Sequence, residues 1–198
     1  MLFRSNRPVA NGFSPNAGGD GTPSGELFRR YWLPVETSAN LAGGRGPVVP
    51  HANNPIPLKV LGEHLVLFRD ATGEPGLLAE HCSHRGTSLR HGRVEDNGMR
   101  CIYHGWLYDK EGNCLEMPAE PPDAKFRASV KHPSYPCVEV GGLIFAYMGE
   151  GPAPEFNLPR KDVLEDPTRH LFVFVENWDC HWFQRSEEHT SELQSPDH

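Results

Sequence analysis

"CSHRG" (Cys82–Gly86) and "CIYHGW" (Cys101–Trp106) decide how this chain is read, because each sets a cysteine and a histidine within three positions of each other. Sixteen residues separate His84 from Cys101, and turn residues lie between the two half-sites, which places them on adjacent loops. Thiolate and imidazole in equal number suit a soft or borderline metal, and two ligand pairs on neighbouring loops can converge on one centre. Structural zinc is one candidate, but its half-sites ordinarily pair like with like, Cys with Cys or His with His. One sulfur and one nitrogen from each loop fit a [2Fe-2S] cluster in which two cysteines hold one iron and two histidines the other.

Outward from these loops the chain reads as brief strands separated by turns. "IPLKVL", Gly62-Glu63, "HLVLFRD", "ATGEPG" and "LLAEH" form a β-meander, with alternation clearest across Leu65, Leu67 and Phe68. Asn97-Gly98 favours a type I′ hairpin turn that returns the chain into Cys101. "WLYDKEGNCLEM" turns at Lys110 to Asn113, and "YPCVEVGGLIFAYMG" at Gly141-Gly142. The half-sites therefore fall at hairpin tips or beside them. Upstream, Thr22 is a candidate N-cap with Pro23 at the first helical position, giving a short helix that carries Leu27, Phe28, Tyr31 and Trp32 and ends at Pro34.

Composition agrees with this β-rich reading. Nineteen prolines and twenty glycines among 198 residues, with 37% hydrophobic residues, describe many turns rather than a helical bundle. A formal charge of -7 offers no broad basic surface, so nucleic acid is not an expected partner. The opening "MLFRSNRPVANGF" lacks the apolar core of a signal peptide, and no stretch approaches the roughly eighteen apolar residues of a membrane span, so a cytoplasmic protein is expected. Five cysteines without a secretory signal argue for metal ligation over a disulfide framework. Cys114, Cys137 and Cys180 read as buried thiols, His81 and His91 as surface histidines, and Tyr103 and Trp106 as a shield against water. The glycines of "AGGRGP" (Gly43, Gly44, Gly46) lack the context of a phosphate loop, and the acidic turns lack the alternating ligands of a calcium loop.

With Gly86, Gly105 and Trp106 completing C-x-H-x-G and C-x-x-H-G-W, the two loops resemble the Rieske family. Neither carries the extra cysteine of the cytochrome bc type, and the match is to aromatic-ring-hydroxylating oxygenase α-subunits. The resemblance covers about Gly21 to Gln184 and looks like the phthalate 4,5-dioxygenase-like group in "GTPSGELFRRYWLP", in the segment from Glu80 to Pro121, in "YPCVEVGGLIFAYMG" and in the closing "CHWFQ". It implies a mostly β chain: an antiparallel Rieske domain with a short N-terminal helix, followed by the truncated start of an α+β catalytic domain. Cys82 and Cys101 would ligate one iron, and His84 and His104 the other. The resemblance further implies a reductase or ferredoxin as electron donor, an aromatic substrate, a mononuclear Fe(II) in a missing C-terminal part, and a homotrimer at full length. No residue of this chain receives a catalytic role. A stand-alone Rieske ferredoxin is the alternative.

The expected boundaries are a flexible arm over 1–21, the Rieske domain over 22–154, and a linker with the start of the catalytic domain over 155–184. The stretch "RSEEHTSELQS" (Arg185–Ser195) has no family counterpart and reads as a translated sequencing adapter, so 185–198 is expected to be non-native. The family's usual asparagine is replaced by His181. The "HGW" loop lacks the serine that supplies a hydrogen bond to the cluster in high-potential relatives, so a potential on the order of -150 mV is expected.

Overall fold

A computed structural model of the chain describes residues 19, 21–41, 55–121, 125–157 and 173. Most of the expected arm, the glycines of "AGGRGP", the 185–198 tail and, apart from 155–157 and Val173, the expected linker and start of the catalytic domain, with its "CHWFQ" segment, lie outside the described residues. Helix α1 (Pro23–Phe28) starts as the sequence predicts: the Thr22 side chain accepts the Gly25 amide at 3.1 Å, and Pro23 occupies a position that needs no donor. It ends earlier than expected. Tyr31 and Trp32 are not on the helix, because Trp32–Thr37 forms strand β1 and pairs antiparallel with a later strand. A six-residue helix gains little by propagating, and the ladder satisfies more backbone groups than another turn would.

The meander follows as β2 (Ile56–Val60), β3 (Glu63–Arg69) and β4 (Pro75–Ala79). Leu61 and Gly62, with φ of 46° and 86°, make the β2–β3 turn, one residue earlier than the expected Gly62-Glu63. After the first cysteine loop come β5 (Arg93–Glu95) and β6 (Gly98–Arg100), and after the second β7 (Leu107–Tyr108) and β8 (Cys114–Glu116). The short helix α2 (Phe126–Ser129) precedes β9 (Ser134–Tyr135), β10 (Cys137–Val140) and β11 (Leu143–Tyr147). Gly141 and Gly142, both left-handed, turn β10 into β11 as expected. The expected type I′ turn at Asn97-Gly98 does not form. Asp96 and Asn97 make the turn without positive φ, and Gly98 is the first residue of β6, opposite Glu95. Glycine is required there by close approach instead, since a Cβ would lie 2.0 Å from the Tyr108 carbonyl oxygen.

The strands form antiparallel sheets in the orders β1-β11-β10, β2-β3-β4-β9 and β5-β6-β7-β8. The architecture is mostly β, as the sequence implies. Pro34 is accommodated at a register shift in β1, an edge strand where a missing ladder donor is tolerated. Strand β3 explains how the sheets share their interior: Leu65 and Leu67 face one core, with Leu58, Leu77 and Ile144, while Val66 and Phe68 face a second, with Met99 and Trp106. The second core contains Cys82 and Cys101. Past β11 the chain stays against the first sheet, where the Trp32 indole donates to Pro154 O at 3.2 Å and Phe156 meets the Trp32 and Phe145 rings. No helix among the described residues is long and apolar enough to cross a membrane.

Candidate metal centre

The first loop leaves β4 and the second connects β6 to β7, yet their backbones close in the same way. Cys82 N–H donates to Thr87 O at 2.9 Å and Gly86 N–H to Cys82 O at 2.8 Å. In the second loop Cys101 N–H donates to Trp106 O at 2.8 Å and Gly105 N–H to Cys101 O at 3.1 Å. Both closures need a left-handed residue four positions after the cysteine, and both have glycine there, with φ of 71° at Gly86 and 74° at Gly105. Each loop is also clasped by the residue before its cysteine. The His81 ring donates Nδ1–H to Gly86 O at 3.0 Å, and the Arg100 guanidinium donates to Gly105 O at 2.6 Å. Arg100 is held in turn by Glu95 and Glu116, each at 2.7 Å, and these partners raise its already high pKa further.

On this paired frame the thiols point inward and the imidazoles outward. Cys82 and Cys101 are buried, each 3% exposed, whereas His84 and His104 are half-buried. The two imidazole rings meet edge to face with centroids 4.5 Å apart, and the Trp106 indole stacks on the His84 ring at 4.6 Å and 9°. Trp106 is buried as expected of a shield. Tyr103 is not: it is 61% exposed and lies against His104 at 3.8 Å, because the loop's tip projects beyond the core. Ile102 and Arg85 are exposed as well.

Desolvation, with His104 and Arg85 nearby, lowers the His84 pKa from its ordinary value, which favours the neutral imidazole that binds metal. Burial raises the Cys101 thiol, while the backbone amides of Tyr103 and His104 work in the opposite sense by favouring a thiolate. One atom tests whether this arrangement fits a metal group. His84 Nδ1 is shut off from solvent and has no hydrogen-bond partner among the described residues, a costly state for a neutral ring nitrogen unless it donates its lone pair to a metal. Among the described residues no three or more His, Cys, Asp or Glu side chains gather about a single ion. A two-iron cluster takes its ligands two at a time, and the residues present fit it.

The structure adds residues the sequence reading missed. Tyr108 is completely buried, and its hydroxyl lies 3.2 Å from Cys82 Sγ. Burial and the Cys82 partner drive its phenol well above the ordinary range, so it stays protonated and can donate to sulfur. A signal was present: Tyr108 stands two residues after Trp106 in the hairpin expected from the sequence, where alternation would put both on one face, and a buried tyrosine needs a partner. His132 is equally buried and bonds Ser83, with no comparable signal in sequence. Cys82, Cys101, Cys114 and Cys137 are free thiols, so Cys114 and Cys137 form no mutual disulfide. Burial pushes Cys114 up to about 11 and Cys137 up to about 12. His81 and His91 are exposed.

Comparison with known proteins places this geometry. The family model described as the Rieske [2Fe-2S] domain matches residues 32–136. The chain is 48% identical over 155 residues to the phenoxybenzoate dioxygenase subunit alpha of Ectopseudomonas oleovorans, covering 78% of this chain and 35% of that protein. It is 38% identical to the phthalate 4,5-dioxygenase oxygenase subunit of Pseudomonas putida, covering 88% and 39%. The crystal structure of dicamba monooxygenase bound to dicamba superposes with a TM-score of 0.58 at 26% identity, over 70% of this chain and 38% of that one. The chain thus spans little more than a third of the length of these relatives. Matched through both cysteine loops and the sheets that carry them, the chain belongs to the Rieske [2Fe-2S] domain family, and the relatives it resembles within that family are oxygenase subunits.

Proposed function

We propose that the chain is the electron-transfer portion of such an oxygenase, with Cys82 and Cys101 holding one iron of the cluster and His84 and His104 the other. When bound, a cluster of this kind supplies reversible one-electron storage at a potential raised by its two neutral imidazole ligands. The observation that carries the assignment is the enclosed, unpartnered Nδ1 of His84 beside the His104 ring. The buried thiols and Trp106 keep water from the inner face, and Tyr108 directs a hydrogen bond to Cys82 Sγ. The half-buried imidazoles form the outer face, where an electron would leave toward a partner centre.

The donor is a reductase or ferredoxin, and the acceptor is a mononuclear iron that activates O2 against an aromatic substrate. That acceptor belongs to sequence outside the described residues. A dicamba monooxygenase solved with non-heme iron and dicamba, 26% identical and with a TM-score of 0.54, supports a second metal centre in the full oxygenase. Purified anaerobically, the chain should be red-brown, carry iron and acid-labile sulfide in equal amounts, and give on reduction an EPR signal with average g below the free-electron value. A colourless, sulfide-free protein containing zinc would overturn the reading.

A further inference from the structure

His132 lies outside every motif, in "VKHPSYP", yet its side chain is 0% exposed and reaches the first cysteine loop. Its Nε2 is 2.9 Å from the carbonyl of Ala79, the last residue of β4. A carbonyl can only accept, so Nε2 carries the proton. Burial lowers the ring's pKa, which leaves Nδ1 an unprotonated acceptor. Ser83 Oγ, 2.7 Å away, must therefore donate to it. Ser83 is the residue between Cys82 and His84.

Two further contacts hold the ring in place. It stacks on Tyr108 with centroids 4.5 Å apart and planes at 27°, and the Tyr108 hydroxyl is the group that meets Cys82 Sγ. The His132 backbone is fixed to the β7–β8 turn, where its N–H donates to Gly112 O at 2.7 Å and a Cβ at Gly112 would lie 2.0 Å from His132 O. Three separate parts of the chain thus meet at one imidazole. The second loop has no counterpart, since Ile102, at the place equivalent to Ser83, is apolar and 64% exposed.

We propose that His132 is a positioning residue for the first cluster loop: it fixes Ser83 through Nδ1 and so sets the spacing of Cys82 and His84 on either side. The proposal rests on the cluster reading above, and its test separates the two. Ser83→Ala, His132→Phe and His132→Asn are made in the full chain. Hydrogen exchange is followed in the segments 82–87 and 101–106, together with the EPR spectrum of the reduced protein. Ser83 is solvent-exposed apart from this bond, so its replacement leaves the fold intact. Phenylalanine keeps the stack on Tyr108 and loses both hydrogen bonds, whereas asparagine keeps an acceptor where Nδ1 stands.

Ser83→Ala and His132→Phe should each speed exchange at the Gly86 amide by about tenfold. Both should leave 101–106 unchanged and shift the g values in the same direction, the double variant should add nothing to His132→Phe, and His132→Asn should return toward wild type. Unchanged exchange and spectrum in Ser83→Ala would overturn the proposal. So would additive effects of the two substitutions, or equal loosening of both loops by His132→Phe. If the wild-type chain gives no EPR signal on reduction, the cluster reading fails while the exchange comparison still decides the role of His132.

Discussion

Tyr108 shows how one hydroxyl can set a property of the whole centre. The sequence lacks the serine of high-potential relatives, yet the structure puts a phenol 3.2 Å from Cys82 Sγ. In the proposed cluster, a hydrogen bond to the Cys82 sulfur would stabilise the more negative, reduced state and so raise the potential above what the loop alone implies. Tyr108→Phe removes the donor while keeping the ring and should lower the midpoint potential on the order of 50 mV in protein-film voltammetry. His132 makes a second prediction at this scale. Because burial lowers its pKa from 6.5, the unfolded chain takes up the proton first as pH falls. Its stabilising contribution is whole above about pH 6.5 and is lost as pH drops through the lower folded value. Urea unfolding at about pH 7.5 and about pH 5 should therefore show a smaller loss of stability on acidification in His132→Phe than in wild type.

At the scale of elements, the second loop depends on how tightly β6 and β7 approach and on the clasp from Arg100. A methyl group at Gly98 would overlap the Tyr108 carbonyl, and backbone cannot move aside as a side chain can. Gly98→Ala should cost about 3 kcal/mol in denaturant titrations and weaken cluster retention. Arg100 bridges Gly105 O, Glu95 and Glu116 with its side chain only 14% exposed. Arg100→Met should cost about 1–2 kcal/mol, a figure reduced by the solvent at Glu116. Its loosening should fall on 101–106 and spare 82–87, the reverse of the pattern expected for His132→Phe. Iron removal tests both loops together. Chelation should lower the unfolding temperature by at least about 5 °C, because the proposed cluster would tie the two loops together.

At the scale of the whole molecule, the two cores divided by β3 separate the work. One braces β1, β10 and β11, and the other surrounds the cysteines. Much of this was legible in the sequence, for local reasons. The ligand candidates announce themselves because Cys82, His84, Cys101 and His104 are set by loops of a few residues, and the glycines that close those loops answer to backbone sterics alone. The hairpin at Gly141-Gly142 and the cap at Thr22 are local in the same sense. Where propensity competed with pairing, sequence misled: α1 stops at Phe28 because Trp32–Thr37 finds a partner 110 or so residues away, and Gly98 serves packing and not a turn. Tyr108 and His132 meet Cys82 and Ser83 across 26 and 49 residues of chain. The β-rich class and the donor chemistry of the two loops could be read from the chain alone, because both are written in short-range patterns. Which buried groups meet those loops emerged with the folded packing, because hydrogen bonds between distant segments have no period or spacing from which to be read.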